Sequence, residues 1–280
     1  MRALVPLGLL LCCGLQCNTQ APTTSESTPT LRAEAASGPG EKRLTPPSVD
    51  APAPAPKEDL PLITLSIDEL LLGSQHIADV RPGPLGFDGE IKRSHQRAAL
   101  QLMPLDAALR PLAKPNETTI RVLADRGTSY RSALEVFYTA SQAGFTSFSF
   151  LVSSQAGPRS VPVSTPSRAE WEAAHTAGAL QPASFKVEAR GISVTVGEIV
   201  VGGGCTLNAA GVTVPASGGK LDVAQVGACA ASLKGMNPGW DRIGAANVTA
   251  SGELTIETVL AIIVAIEATF PTVHLGMMTG

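Results

Sequence analysis

With 280 residues, a formal charge of -3 and only 16% charged side chains, the chain has room for one large domain or two small ones. It carries no basic block and no zinc-finger or RNA-binding signature, which sets nucleic acid aside as a partner. Its 27 glycines and 22 prolines mark part of that length as linker.

The N-terminus opens with Arg2 and an apolar run from Ala3 to Gly14, the form of a secretory signal peptide. A bilayer-spanning helix needs about 20 apolar residues, so the run is too short for one. Removal of residues 1–16 would leave Cys17, followed by Asn18, as the preferred first residue of a lipidated mature protein. Gly14, Leu15 and Gln16 fit the usual lipobox poorly, and ordinary cleavage near Ala21 is the alternative. Either form is exported. Residues 17–60 are rich in Pro, Ala, Ser and Thr without periodicity and read as a tether. Its run APAPAP at 51–56 favours stiff polyproline II.

The next segment, 61–152, reads as a small domain. LITLSIDELLLGSQHI gives two short strands joined near Asp68 and Glu69. QRAALQLMPLDAALRPLA gives a helix, with Leu100, Leu105, Ala108, Leu109 and Leu112 as its apolar contacts and Pro104 near its start or at a break. TTIRVLADRGTSYRSALEVFYTASQAGFTSFSF then alternates at Ile120, Val122 and Ala124, a strand signal. It turns at Asp125, Arg126 and Gly127 and shifts to helical spacing from Tyr130 through Ala133, Leu134, Phe137, Tyr138 and Ala140. Gly144 stops that helix, and Phe145, Phe148 and Phe150 begin another buried strand. Residues 153–183 read as a linker containing a short helix, with Ser167 and Glu170 as a capping box and Trp171 as a packing anchor. His175 there has no partner in sequence.

Residues 184–280 repeat the first domain. An offset of 126 lays Val122 on Val248, Asp125 on Ser251, Tyr130 on Ile256, Leu134 on Leu260 and Phe137 on Ile263 without a gap. An offset of 122 lays Leu70 on Ile192, Leu72 on Val194 and Ile77 on Ile199. The repeat predicts a strand at Asn247–Ala250, a turn at Ser251 and Gly252, and a helix from Thr255 to Ala268. Glu257 and Glu267 interrupt that helix, which favours a core helix over a membrane span. A last strand follows at Thr272–Gly276, and KLDVAQVGACAASL supplies the other helix. Each copy is then β-β-α-β-α-β, and the whole an α+β protein of two tandem two-layer α/β sandwiches, each a small mixed sheet with helices on one face.

Candidate chemistry is sparse. Cys205 and Cys229, the only cysteines beyond the leader, suit a disulfide in an exported chain; two buried free thiols, or a metal or redox use, are the alternatives. His76, Asp79, Glu90 and His95 match no familiar ligand frame, and VGGGC at 201–205 lacks the Lys and Ser/Thr of a phosphate loop. No cofactor and no catalytic set is expected. An enzyme would need a cleft gathering groups from both copies, such as His76, Asp125 and His274.

With those elements in place, ITLSIDELLLGSQHI and TTIRVLADRGTSYRSALEVFYTASQAGFTSFSFLV resemble the periplasmic domain of the ExbD/TolR family, small subunits of proton-driven envelope motors for biopolymer transport. The matching positions are a strand ending in Ala124 and Asp125, Tyr130 after the turn, and a helix closed by Ala143 and Gly144. The likeness spans about residues 61–152 and, through the repeat, more weakly 184–278. Family members dimerise, couple ion flow to an envelope task, and in some cases contact peptidoglycan or a transducer protein. Their ion path needs a transmembrane helix with an aspartate, and ALVPLGLLLCCGLQC has no acidic residue. The resemblance therefore implies a non-enzymatic binding scaffold of the bacterial cell envelope, periplasmic and lipid-anchored. Its expected partners are an envelope protein, peptidoglycan, or a motor channel subunit or transducer. An energy-transducing transporter subunit retained in the membrane is the second expectation, and a hydrolase with its cleft between the copies the third.

Overall fold

Strands come first, because their alternation fixes which face of the sheet is buried. The computed structural model describes residues 44–48, 59–80, 86–94, 99–115, 117–154, 157–165 and 180–276; the leader, Cys17, and the linker helix expected around Trp171 and His175 lie outside them. These residues belong to one compact unit, Lys42–Gly280. The first half holds β1 (Leu62–Leu65), β2 (Glu69–Leu72), β3 (Gln75–Asp79), β4 (Thr119–Ala124) and β5 (Ser147–Ser154). β6 (Gly157–Ser164) follows, and the second half holds β7 (Ala183–Glu188), β8 (Gly191–Val196), β9 (Ile199–Gly202), β10 (Thr206–Leu207), β11 (Val214–Pro215), β12 (Ala245–Ala250) and β13 (Thr272–Leu275). The α-helices among the described residues are α1 (Met103–Leu109), α2 (Tyr130–Ala143), α3 (Val223–Met236) and α4 (Ile256–Glu267).

All thirteen strands form one sheet, ordered β10-β9-β8-β7-β12-β13-β6-β5-β4-β1-β2-β3, with β11 on β8. The two small sheets expected from the sequence are thus continuous. Within each half the antiparallel β1/β2 or β7/β8 pair lies beside a parallel strand, β4 or β12. Registers place Ile120, Phe148, Val163, Val273, Ala246, Ala183 and Val196 in one row, each part of a single buried core. Period-two side chains of that face all point the same way. Helices α1 and α2, α2 and α4, and α3 and α4 contact one another.

The helix ends carry their own local signals. Ser129 caps α2 by accepting from Ser132 N, and Gly144 closes it in the left-handed region at φ 111°, where a side chain would be strained. Thr255 caps α4 through Thr258 N and Asp222 caps α3 through Gln225 N. Phe137 stands between Phe148 and Phe150, each with its ring centre 5.1 Å away.

Four expectations change. Each half opens with three strands, not two, because β3 and β9 continue the meander. Of the helix predicted over residues 96–113, the described residues 99–113 form α-helix only at Met103–Leu109 with Pro104 at its start, and Pro111 falls in a following 3-10 turn; Leu112 is therefore exposed instead of packed. Residues 157–164, read as linker, form β6, pairing along its whole length with β5. Pro158 and Pro162 share one edge of β6, and a proline fits only where the neighbour needs no N–H, so both turn away from β5. Finally, Thr45 and Pro47, read as tether, accept from Arg126 N and Ser153 N, docking residues 44–48 at the ends of β4 and β5.

Candidate functional site at the seam of the halves

The halves meet first at the helix starts. Tyr130 N donates to Leu254 O at 2.7 Å and Ile256 N donates to Thr128 O at 2.8 Å, while Ser129 and Thr255 form a β-bridge. Each residue lies 126 positions from the one that plays its part across the seam. These contacts occupy backbone N–H groups that a helix start otherwise leaves open, so they bind the halves and not an anion. Tyr130, fully buried, donates from its hydroxyl to Gly276 O at 3.2 Å; burial pushes its ionisation well above the usual phenol range.

The second meeting point is in the sheet. β6 joins β13 by one ladder pair, Ser164 with His274, and the Ser164 Oγ lies 2.8 Å from His274 Nδ1. On the face away from the core, Thr119, Ser147, Ser164, His274, Asn247, Ser184 and Thr195 stand in register across seven strands. At about 4.8 Å per strand the row is about 29 Å long. It contains no carboxylate, ammonium or guanidinium. Beside it, a cavity of about 310 Å³ opens where β6 and β13 diverge, bordered by Ser147, Ser149, Ser160 and Thr272 with Pro162, Pro271 and Leu60 among its apolar walls. Ser149 and Ser160 hydrogen-bond to each other. Apart from the His274 imidazole, such a surface offers hydroxyl and amide donors and acceptors.

The residues singled out from sequence fall as follows. Cys205 and Cys229 are disulfide-bonded, with Cα atoms 5.6 Å apart; the bond ties the turn after β9 to α3. Ala124 is buried at the end of β4. The Asp125 carboxylate accepts from Thr45 N at 3.0 Å and Gly127 N at 2.8 Å, so it holds both its own turn and residues 44–48. His76 Nε2 lies 3.1 Å from Asp79 Oδ1 on the exposed β3, Glu90 sits apart in a 3-10 turn, and His95 lies outside the described residues. Among those residues no group of three His, Cys, Asp or Glu could hold a metal ion. β3 and β13 are six strands apart in the sheet, about 29 Å, so His76 and His274 share no cleft. VGGGC runs from β9 into a turn toward β10 and opens no helix; at Gly202 a Cβ would come 1.9 Å from Ala209 O.

One cluster had no sequence signal. Glu135, with no exposed surface, accepts from Lys92 Nζ at 2.8 Å and Arg131 Nε at 2.6 Å through Oε1, and from Phe87 N at 2.9 Å through Oε2. Lys92 is equally buried. The spacing of 43 residues between Lys92 and Glu135 has no local pattern that would announce it. Among the described residues no helix is long and apolar enough to cross a membrane. Compared with family models, curated proteins and solved structures, the chain matches none.

Proposed function

We propose that the chain is a non-enzymatic binding scaffold of the cell envelope, built from two ExbD/TolR-like sandwiches in tandem that pair within one chain as relatives pair between chains. The reciprocal seam carries the reading. Residue i meeting j and j meeting i is the mark of a two-fold contact, and Thr128, Ser129 and Tyr130 meet Leu254, Thr255 and Ile256 in that manner at a constant offset. The leader and Cys17 support export and a lipid anchor on the periplasmic side. The long neutral row across the seam supports contact with an uncharged or mixed surface, whether an envelope protein or the wall, over ion handling.

In-cell crosslinking of the tagged full chain, followed by identification of what co-purifies, tests this. Wall fragments or envelope proteins are expected. Stoichiometric recovery of a motor channel subunit would replace the scaffold reading with the energy-transducing one. Radiolabelled palmitate incorporated by the wild type and lost in Cys17→Ala is the expected sign of the anchor.

A further inference from the structure

The buried carboxylate of Glu135 lies between residues 86–94 and the seam. On one side are residues 86–94, which reach α2 through Phe87 N and Lys92 Nζ, both on Glu135. Gly86 packs so tightly on the same group that a Cβ there would come 2.6 Å from Oε1. Arg93 N donates to Gln101 O and Leu102 N to Thr139 Oγ1, which extends the attachment toward α1. On the other side is the seam: Arg131, whose Nε shares Oε1 with Lys92, donates from its backbone N to Gly252 O at 3.1 Å. A Cβ at Gly252 would lie 3.1 Å from the Arg131 Cβ.

We infer that residues 86–94 form a strap whose seat on α2 is coupled through Glu135 and Arg131 to the turn Ser251–Leu254 of the second half, so that loosening either loosens the other. The physical reason is the sharing of one oxygen. A buried carboxylate oxygen accepting from two cations fixes both at once, and displacement of the Arg131 stem redistributes the bonds that hold Lys92. A buried ion pair is weak evidence for stability, since apolar residues of similar size serve as well. The strap reaches α2 through this carboxylate, and the seam reaches the same oxygen through Arg131.

Hydrogen exchange by mass spectrometry on the full chain tests it, in the wild type, Gly252→Ala and Glu135→Gln. Gly252 has an ordinary backbone conformation and touches none of the strap, so Ala there perturbs only Arg131. The expected result is exchange at residues 87–94 several-fold faster in Gly252→Ala, with β5 and β9 unchanged. Glu135→Gln, which keeps the shape and drops the charge, should speed both 87–94 and 251–254, the strap by ten-fold or more. Unchanged strap exchange in Gly252→Ala would overturn the coupling, as would a uniform rise along the whole chain. If Glu135→Gln does not fold, the Gly252→Ala result decides alone.

Discussion

The two halves fasten the same connection by different means. In each, a stretch leads from the third strand of the meander to the first helix, and in each that stretch is tied to a helix. The second half uses a covalent bond from Cys205 to Cys229. The first half uses a buried charge, Lys92 on Glu135, and the residue at the place of Glu135 in the other copy, offset by 126, is Ala261. The covalent tie is indifferent to the packing around it but open to reduction. The charged tie ignores redox conditions but fails outright if either partner is lost.

That contrast orders the expected effects. Glu135→Leu leaves Lys92 buried without its carboxylate and should cost about 3–5 kcal/mol in urea unfolding, while the double variant Lys92→Met with Glu135→Leu should recover most of the loss. Replacing Cys205 and Cys229 by serine frees a 24-residue loop and should cost about 3 kcal/mol. Its first sign should be faster exchange at residues 203–222, with Trp240, buried in the same half, reporting the later loss of packing by fluorescence. Ser129→Ala and Thr255→Ala each remove a helix cap and should cost about 1 kcal/mol. Because the two caps face each other across the seam, the double variant should depart from the sum of the single ones, and strict additivity would argue that the halves fold independently.

The smallest effect concerns pH. Burial raises the pKa of Glu267, whose Oε2 is buried without a hydrogen-bond partner. The folded chain then holds that proton more tightly than the unfolded chain. The resulting penalty is absent below the unfolded pKa, grows as pH rises toward the folded one, and is complete above it. Glu267→Gln should therefore be slightly more stable than the wild type at neutral pH and equal to it in acid, as read from thermal midpoints across a pH series.

Much of this architecture was legible because local and global signals agree. Tyr130 and Gly144 mark the stripe and the end of α2, and a gapless offset carried the same reading to α4. Cys205 and Cys229, the only cysteines after Cys17, announced their bond. Other features were hidden for physical reasons. In β6, GPRSVPVS, the prolines mask the alternation of Val161 and Val163, since proline reads as a break even where it only faces a strand's unneeded edge. In β3, Gln75, His76 and Asp79 are polar because the strand lies at the sheet edge and has little to bury. The Lys92–Glu135 pair is a tertiary contact between distant residues, and each alone looks like a solvated charge. The neutral row depends on the register of seven strands, which no single segment specifies.

β6 has one further consequence. Among the described residues, no strand of the second half stands at the place that β6 takes after β5. A two-fold pair of identical subunits offers every surface twice, so whatever binds on the axis can arrive in two equivalent orientations. Here the strand on one side of the seam is β6 and on the other β13, and a linear polymer or a single protein laid across them meets one polarity only. The seam therefore has a single polarity, because two unlike strands meet at it.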